Sequence, residues 1–191
     1  MRAEAEGVYR ELRLDKLLAD VGTPSIVGTA ALGLMVRRDL DLDLDGVCER
    51  LDDAAVVAVA AVGARLATQP HVRLVTFRND SGAWNREPDV YPDRPYLGVE
   101  CISSGATWNL DIWFLDEPER QPSTARLTTL LPRLTDESRA AIIEIKPAWA
   151  DRSGYGTTVK SFDVYRAVLD DGVRDPARFE TWVGQQKKLQ P

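Results

Sequence analysis

Residues 39–45 read Asp-Leu-Asp-Leu-Asp-Leu-Asp, a strict alternation of acid and leucine. Period two is the signature of a β-strand, so Leu40, Leu42 and Leu44 face a core while Asp39, Asp41, Asp43 and Asp45 share the other face. Aspartate is a poor strand former, and carboxylates crowded on one face disfavour each other's ionisation. Two origins of such a strand are open. A divalent cation supplies the missing positive charge in the first: Mg²⁺ prefers hard oxygen ligands and typically takes one or two carboxylates plus substrate phosphates. Asp39 and Asp41 project to one side with Cα atoms about 6–7 Å apart, near enough to converge on one ion or a pair. The second origin is a solvated edge strand, charged to block aggregation.

A further acid lies downstream in Trp108-Asn109-Leu110-Asp111-Ile112-Trp113-Phe114-Leu115. Asp111 sits inside a run that is otherwise almost wholly apolar or aromatic. A buried, unpaired carboxylate is costly, and facing the same metal as Asp39 and Asp41 would relieve it. Glu100, on the preceding predicted strand, competes for this place, but Asp111 has the more apolar context. Arg37 and Arg38 directly precede the acid strand. They either neutralise a phosphate or balance the aspartates.

The elements that must hold these residues follow from periodicity. Val8, Leu12, Leu17, Leu18 and Val21 fall on one face, which predicts an amphipathic helix over 3–20 that Gly22 stops. Ser25-Ile26-Val27 is a short apolar stretch leading into Gly28-Thr29, and Ala30 to Met35 suits one or two helical turns. Residues 50–68 read as a buried helix closed by Pro70. Strands are expected at Val72–Arg78, Tyr96–Ser103 and Trp108–Leu115, with a long loop over 79–95 that could flap over a site. Helices are expected at 124–132, 136–149, 160–170 and 176–188, the last with Asp175 as N-cap and Pro176 at its first position. Strands in the first part and helices in the last predict an α+β fold, a mixed sheet flanked by helices with a helical C-terminal part. The expected division is 1–118 and 119–191.

Gly28-Thr29 followed by Asp39-Leu40-Asp41-Leu42 resembles the signature of the polymerase-β-like nucleotidyltransferase superfamily: a Gly-Ser pair closing the first strand, a short helix, then Asp-x-Asp on the second. Thr29 stands where serine is usual and keeps the hydroxyl. Eleven residues separate Gly28 from Asp39, within the family's range, and the stretch from Ala31 to Asp41 is similar to an uncharacterised bacterial branch. The resemblance implies a Mg²⁺-dependent (or Mn²⁺-dependent) transfer of a nucleotide from a nucleoside triphosphate, ATP by expectation, to a hydroxyl acceptor. Asp39, Asp41 and Asp111 would hold the metal, and Asp111 would activate the acceptor. The three carboxylates are then expected to converge within a few ångströms, with Asp43 and Asp45 as bystanders. Gly28 lets backbone approach the triphosphate, Thr29 adds a hydroxyl at a helix start, and Arg38 is a candidate phosphate ligand.

A thinner echo runs through 145–165. It is similar to the helical part of poly(A)-polymerase-like members and implies that Lys146 and Ser161 meet the β- and γ-phosphates, with Tyr155 or Tyr165 near the nucleotide. From the residues alone, Lys146 reads equally as a solvated helix position, Ser161 as an N-cap and Tyr165 as core. Trp108, Trp113, Trp149 and Trp182 read as packing residues, and Trp84, in the long polar loop, as a candidate ligand contact.

Composition narrows the alternatives. A formal net charge of −6 and an isoelectric point near 4.9 argue against a broad nucleic-acid surface, which needs basic excess. Two cysteines without a CxxC pattern and a single histidine argue against a zinc site. Cys48 and Cys101 read as buried filler in a reducing compartment. Met1 to Asp20 lacks the apolar core of a signal peptide or membrane anchor, so the cytoplasm is the expected address. A toxin- or antitoxin-type nucleotidyltransferase, a non-catalytic nucleotide- or protein-binding descendant of the fold, and a plain interaction domain are the competing readings.

Overall fold

The computed structural model describes residues 1–46, 53–86, 94–115, 127–150 and 152–189. The chain divides into two compact units, Met1–Thr128 and Thr129–Pro191. The expected boundary at 118 lies outside the described residues.

The first unit is built on a five-stranded mixed sheet in the order β1-β2-β5-β4-β3. Its strands are β1 (Thr23–Ile26), β2 (Asp39–Asp45), β3 (Val72–Asp80), β4 (Arg94–Ser103) and β5 (Ala106–Leu115). Strand β2 pairs antiparallel with β1 and parallel with β5, while β5-β4 and β4-β3 are antiparallel. Ser104 and Gly105, both with positive φ, form the two-residue turn between β4 and β5. Such turns match the right-handed twist of the strands they join.

Leu40, Leu42 and Leu44 are fully buried, as the alternation requires. They join Leu97, Val99, Leu110, Ile112 and Phe114 from β4 and β5 in one core. Helix α4 (Asp53–Ala67) covers this face. It comes close because Gly63 has no side chain: a Cβ there would stand 3.1 Å from Leu97. The predicted helix over 50–68 is thus present, with residues 50–52 outside those described.

The expected N-terminal helix over 3–20 is two helices, α1 (Arg2–Glu11) and α2 (Leu14–Leu18). Arg13, at φ 51°, breaks it. The reason is burial: Leu12 and Leu14 are both in the core. Positions two apart point to nearly opposite sides of a continuous helix, so only a break lets both turn inward. Strand β3 also runs two residues further than expected, to Asp80.

The second unit contains α5 (Asp136–Ala150), α6 (Ser161–Leu169) and α7 (Pro176–Leu189); of the expected 124–132 element, residues 127–130 are helical and 124–126 lie outside the described residues. Asp175 caps α7, its Oδ1 accepting from the Arg178 amide at 2.9 Å. Phe179 packs between Trp149 and Trp182, at centroid distances of 5.1 and 5.7 Å. Lys160, rather than Ser161, is the N-cap of α6.

Candidate active site

The acid strand is interior. With β1 on one side and β5 on the other, it is not the solvated edge that the alternation alone allowed. Its four aspartates lie on one face but meet different surroundings. Asp39 and Asp41 are half-buried, whereas Asp43 is only 4% exposed. Asp45, beside β1, has a buried Oδ1 without a hydrogen-bond partner. Burial pushes its carboxyl above the usual carboxylate range.

Parallel pairing places Asp41 directly opposite Asp111, and Asp39 opposite Asn109. Opposed residues share a face, and neighbouring strands lie about 4.8 Å apart. Backbone register therefore sets all three positions on one small patch of sheet. Gly28 backs onto that patch. It opens α3 (Gly28–Leu32) with φ +61°, a conformation that suits glycine. A Cβ there would collide with Asp41, 2.9 Å from its Cγ. The Val27 amide also donates to the Asp41 carbonyl at 3.0 Å. Thr29 follows Gly28 in α3 and is half-buried.

Beyond Asp111 the face continues as an open groove of about 420 Å³, lined among others by Asp39, Thr76, Arg78, Tyr96, Glu100 and Asn109. Glu100, the competing acid, is bonded to Arg73, whose Nη2 donates to Oε2 at 2.6 Å. That pair holds the Glu100 carboxyl below its usual range. Asp111 is instead bonded to the hydroxyl of Tyr96. Burial, then that bond, pushes the Tyr96 phenol well above its usual value.

Tyr96 was missed by sequence reasoning, although its register opposite Trp113 and two residues from Gly98 marks it once the hairpin is known. Trp113 was read as a packing residue. It lies half-buried on the site face, 4.7 Å from the Tyr96 ring, because odd positions of β5 point there and even ones into the core. Trp108, Trp149 and Trp182 are buried as expected, and Trp84 is exposed. Arg38 Nε is 3.9 Å from Glu4, and its carbonyl accepts from the Asn109 amide at 3.0 Å. Cys101 is buried filler as expected, and Cys48 lies outside the described residues.

In the second unit, Lys146 is not a solvated helix residue. It is 2% exposed, with Nζ 3.5 Å from the hydroxyl of buried Tyr165. Ser161 and Tyr155 share a hydrogen bond of 3.0 Å between their hydroxyls.

No family model matches the sequence, and neither does any curated protein. Solved structures do match. The Cid1 poly(U) polymerase with Mg and 3′-dATP bound superposes with a TM-score of 0.60 at 16% identity, over 88% of this chain and 48% of that one. The non-canonical poly(A) polymerase complex GLD-2–GLD-3 gives 0.57 at 16% identity, over 88% and 55%. A cytoplasmic RNA terminal U-transferase gives 0.56 at 19%, over 88% and 47%. The fold is the one these poly(U) and poly(A) polymerases and the terminal U-transferase share. This chain spans about half the length of those neighbours. The α+β class read from the strand and helix order is the one this nucleotidyltransferase fold has. Gly28, Asp39 and Asp41 fall on it in the expected order of strand, short helix and strand.

The residues of the patch suit a hard divalent cation in chemistry, being carboxylates on one face with a glycine packed against Asp41. Among the described residues, no three His, Cys, Asp or Glu side chains come together as a ready metal-binding group. No helix among them is long and apolar enough to cross a membrane.

Proposed function

We propose that this chain is a Mg²⁺- or Mn²⁺-dependent nucleotidyltransferase that moves a nucleotide from a nucleoside triphosphate, ATP by preference, to a hydroxyl acceptor in the cytoplasm. One observation carries the reading: Asp41 and Asp111 stand opposite each other on adjacent parallel strands, with Asp39 on the same face and Gly28 pressed against Asp41.

Asp39, Asp41 and Asp111 would hold the cation, which supplies charge neutralisation for the triphosphate and its leaving pyrophosphate. Gly28 keeps side-chain bulk away from the Asp41 carboxylate and lets the backbone approach the triphosphate. Thr29 offers its hydroxyl beside them. Asp111 accepts the proton of the acceptor hydroxyl, which enters along the groove past Asn109 and Thr76. Attack on the α-phosphorus forms the new phosphoester bond and breaks the α–β bridge, releasing pyrophosphate. Arg38, Lys146 and Ser161 are candidate phosphate ligands on the strength of the sequence resemblance.

The test is pyrophosphate release from each labelled nucleoside triphosphate with Mg²⁺ and a panel of hydroxyl acceptors, alongside calorimetry of nucleotide binding. Turnover that disappears in Asp41→Asn and Asp39→Asn supports the reading. Wild type that binds no Mg-nucleotide, or variants that bind and turn over unchanged, sinks it.

A further inference from the structure

The Asp-x-Asp motif calls for no aromatic hydroxyl, yet one stands at the acid patch. Its placement is a consequence of the β4-β5 hairpin. Antiparallel pairing sets Gly98 opposite Asp111 and Tyr96 opposite Trp113. Gly98 therefore leaves a gap on the site face beside the Asp111 carboxylate. Tyr96 lies back over that gap, and its hydroxyl donates to Asp111 Oδ1.

Space, rather than backbone conformation, is the reason for glycine at position 98. A Cβ there would stand 2.6 Å from the Tyr96 hydroxyl oxygen and 3.1 Å from Cζ. A larger residue would evict the ring. Two other groups hold it. Trp113 packs against it at 46°. The Arg78 guanidinium sits 4.3 Å from its centroid and meets Asp80 at 2.7 Å. Phenylalanine would fill this slot equally well as far as packing goes. What the hydroxyl adds is a fixed direction for one carboxylate.

We propose that Tyr96 is the positioning residue of Asp111: by bonding Oδ1 it fixes the carboxylate's rotation and leaves Oδ2 to face the cation and the acceptor hydroxyl. The proposal rests on the nucleotidyltransferase reading above. Carboxylates that bind metals are themselves held by hydrogen bonds, and removing such an outer partner typically weakens metal affinity or activity about 10–100-fold.

The experiment is Mn²⁺ binding to the full chain, followed by the paramagnetic resonance signal of the free ion, for wild type, Tyr96→Phe, Asp111→Asn and the double variant. Melting temperatures are measured alongside. Tyr96→Phe is expected to melt within a few degrees of wild type and to bind Mn²⁺ about tenfold more weakly. The double variant is expected to bind no more weakly than Asp111→Asn alone, because the hydroxyl acts only through that carboxylate. Gly98→Ala, which displaces the same hydroxyl, reproduces the loss. Two results overturn the inference alone: Asp111→Asn weakens binding while Tyr96→Phe does not, or the two losses simply add. Wild type with no Mn²⁺ affinity overturns this inference, whereas the nucleotidyltransferase reading falls only if Mg-nucleotide fails to bind as well.

Discussion

Strand β2 carries the same dipeptide three times over, yet its two halves live in different worlds. At the first half, Asp39 and Asp41 are half-buried. They look onto Gly28 on one side and onto Asn109 and Asp111 on the other. At the second half, Asp43 and Asp45 are flanked by β1, with Asp43 nearly closed off from solvent and Asp45 raised in its titration by burial. Identical residues on one face thus divide by neighbourhood: Asp39 and Asp41 stand with Gly28, Asn109 and Asp111, Asp43 and Asp45 beside β1. The lesson is that alternation assigns a face, while the neighbours assign the chemistry.

That comparison is most directly broken at Asp41. Asp41→Asn is expected to lower nucleotidyl transfer about a thousandfold, since the charge stabilisation lost with a bound cation amounts to several kcal/mol and each 1.36 kcal/mol is about tenfold. Steady-state pyrophosphate release measures it, and a fall of less than about tenfold would place Asp41 with Asp43 and Asp45. Next in size comes the contrast between two acids of the groove. Asp111→Asn should lower the rate about a hundredfold, consistent with loss of a general base. Glu100→Gln, whose carboxylate is already committed to Arg73, should leave it within about twofold. Equal losses would erase the distinction.

Gly28→Ala tests what opens the first half. The new methyl meets Asp41, and the backbone sits at φ +61°. The left-handed conformation alone costs about 1–2 kcal/mol, so a drop in melting temperature should accompany loss of turnover. The smallest effect is expected at Asp45. Its folded carboxyl titrates above its unfolded value, so the protonated acid is the form that folding favours. Stability from this group is therefore present at low pH and is lost as pH rises through its folded value. Asp45→Asn removes that penalty. It should raise the melting temperature at pH 7 and give little gain below about pH 4, where the acid is neutral in both states. Thermal scans at the two pH values decide it, and a destabilised variant at pH 7 would show that Asp45 serves as an anion.

Much of this was legible in the residues. The period of two in 39–45 put three leucines in the core and four acids on one face, because side-chain direction in a strand is local geometry. Asp175 and Pro176 marked the start of the last helix for the same kind of reason: capping is a matter of adjacent backbone and side chain. The single amphipathic helix over 3–20 did not survive, since burying both Leu12 and Leu14 required the break at Arg13. Lys146 reads from its sequence as a solvated helix position or, by the resemblance, a phosphate ligand, and its burial beside Tyr165 depends on how α5 and α6 pack.

The sequence by itself determined the α+β class, the acid face of β2 and the glycine before it, all short-range properties of spacing and residue type. Only the tertiary structure decided which acids stand together. Asp41 and Asp111 lie far apart along the chain and become neighbours through a parallel pairing whose register no local pattern encodes. The same sheet, carried on to β4, set the Tyr96 hydroxyl on Asp111.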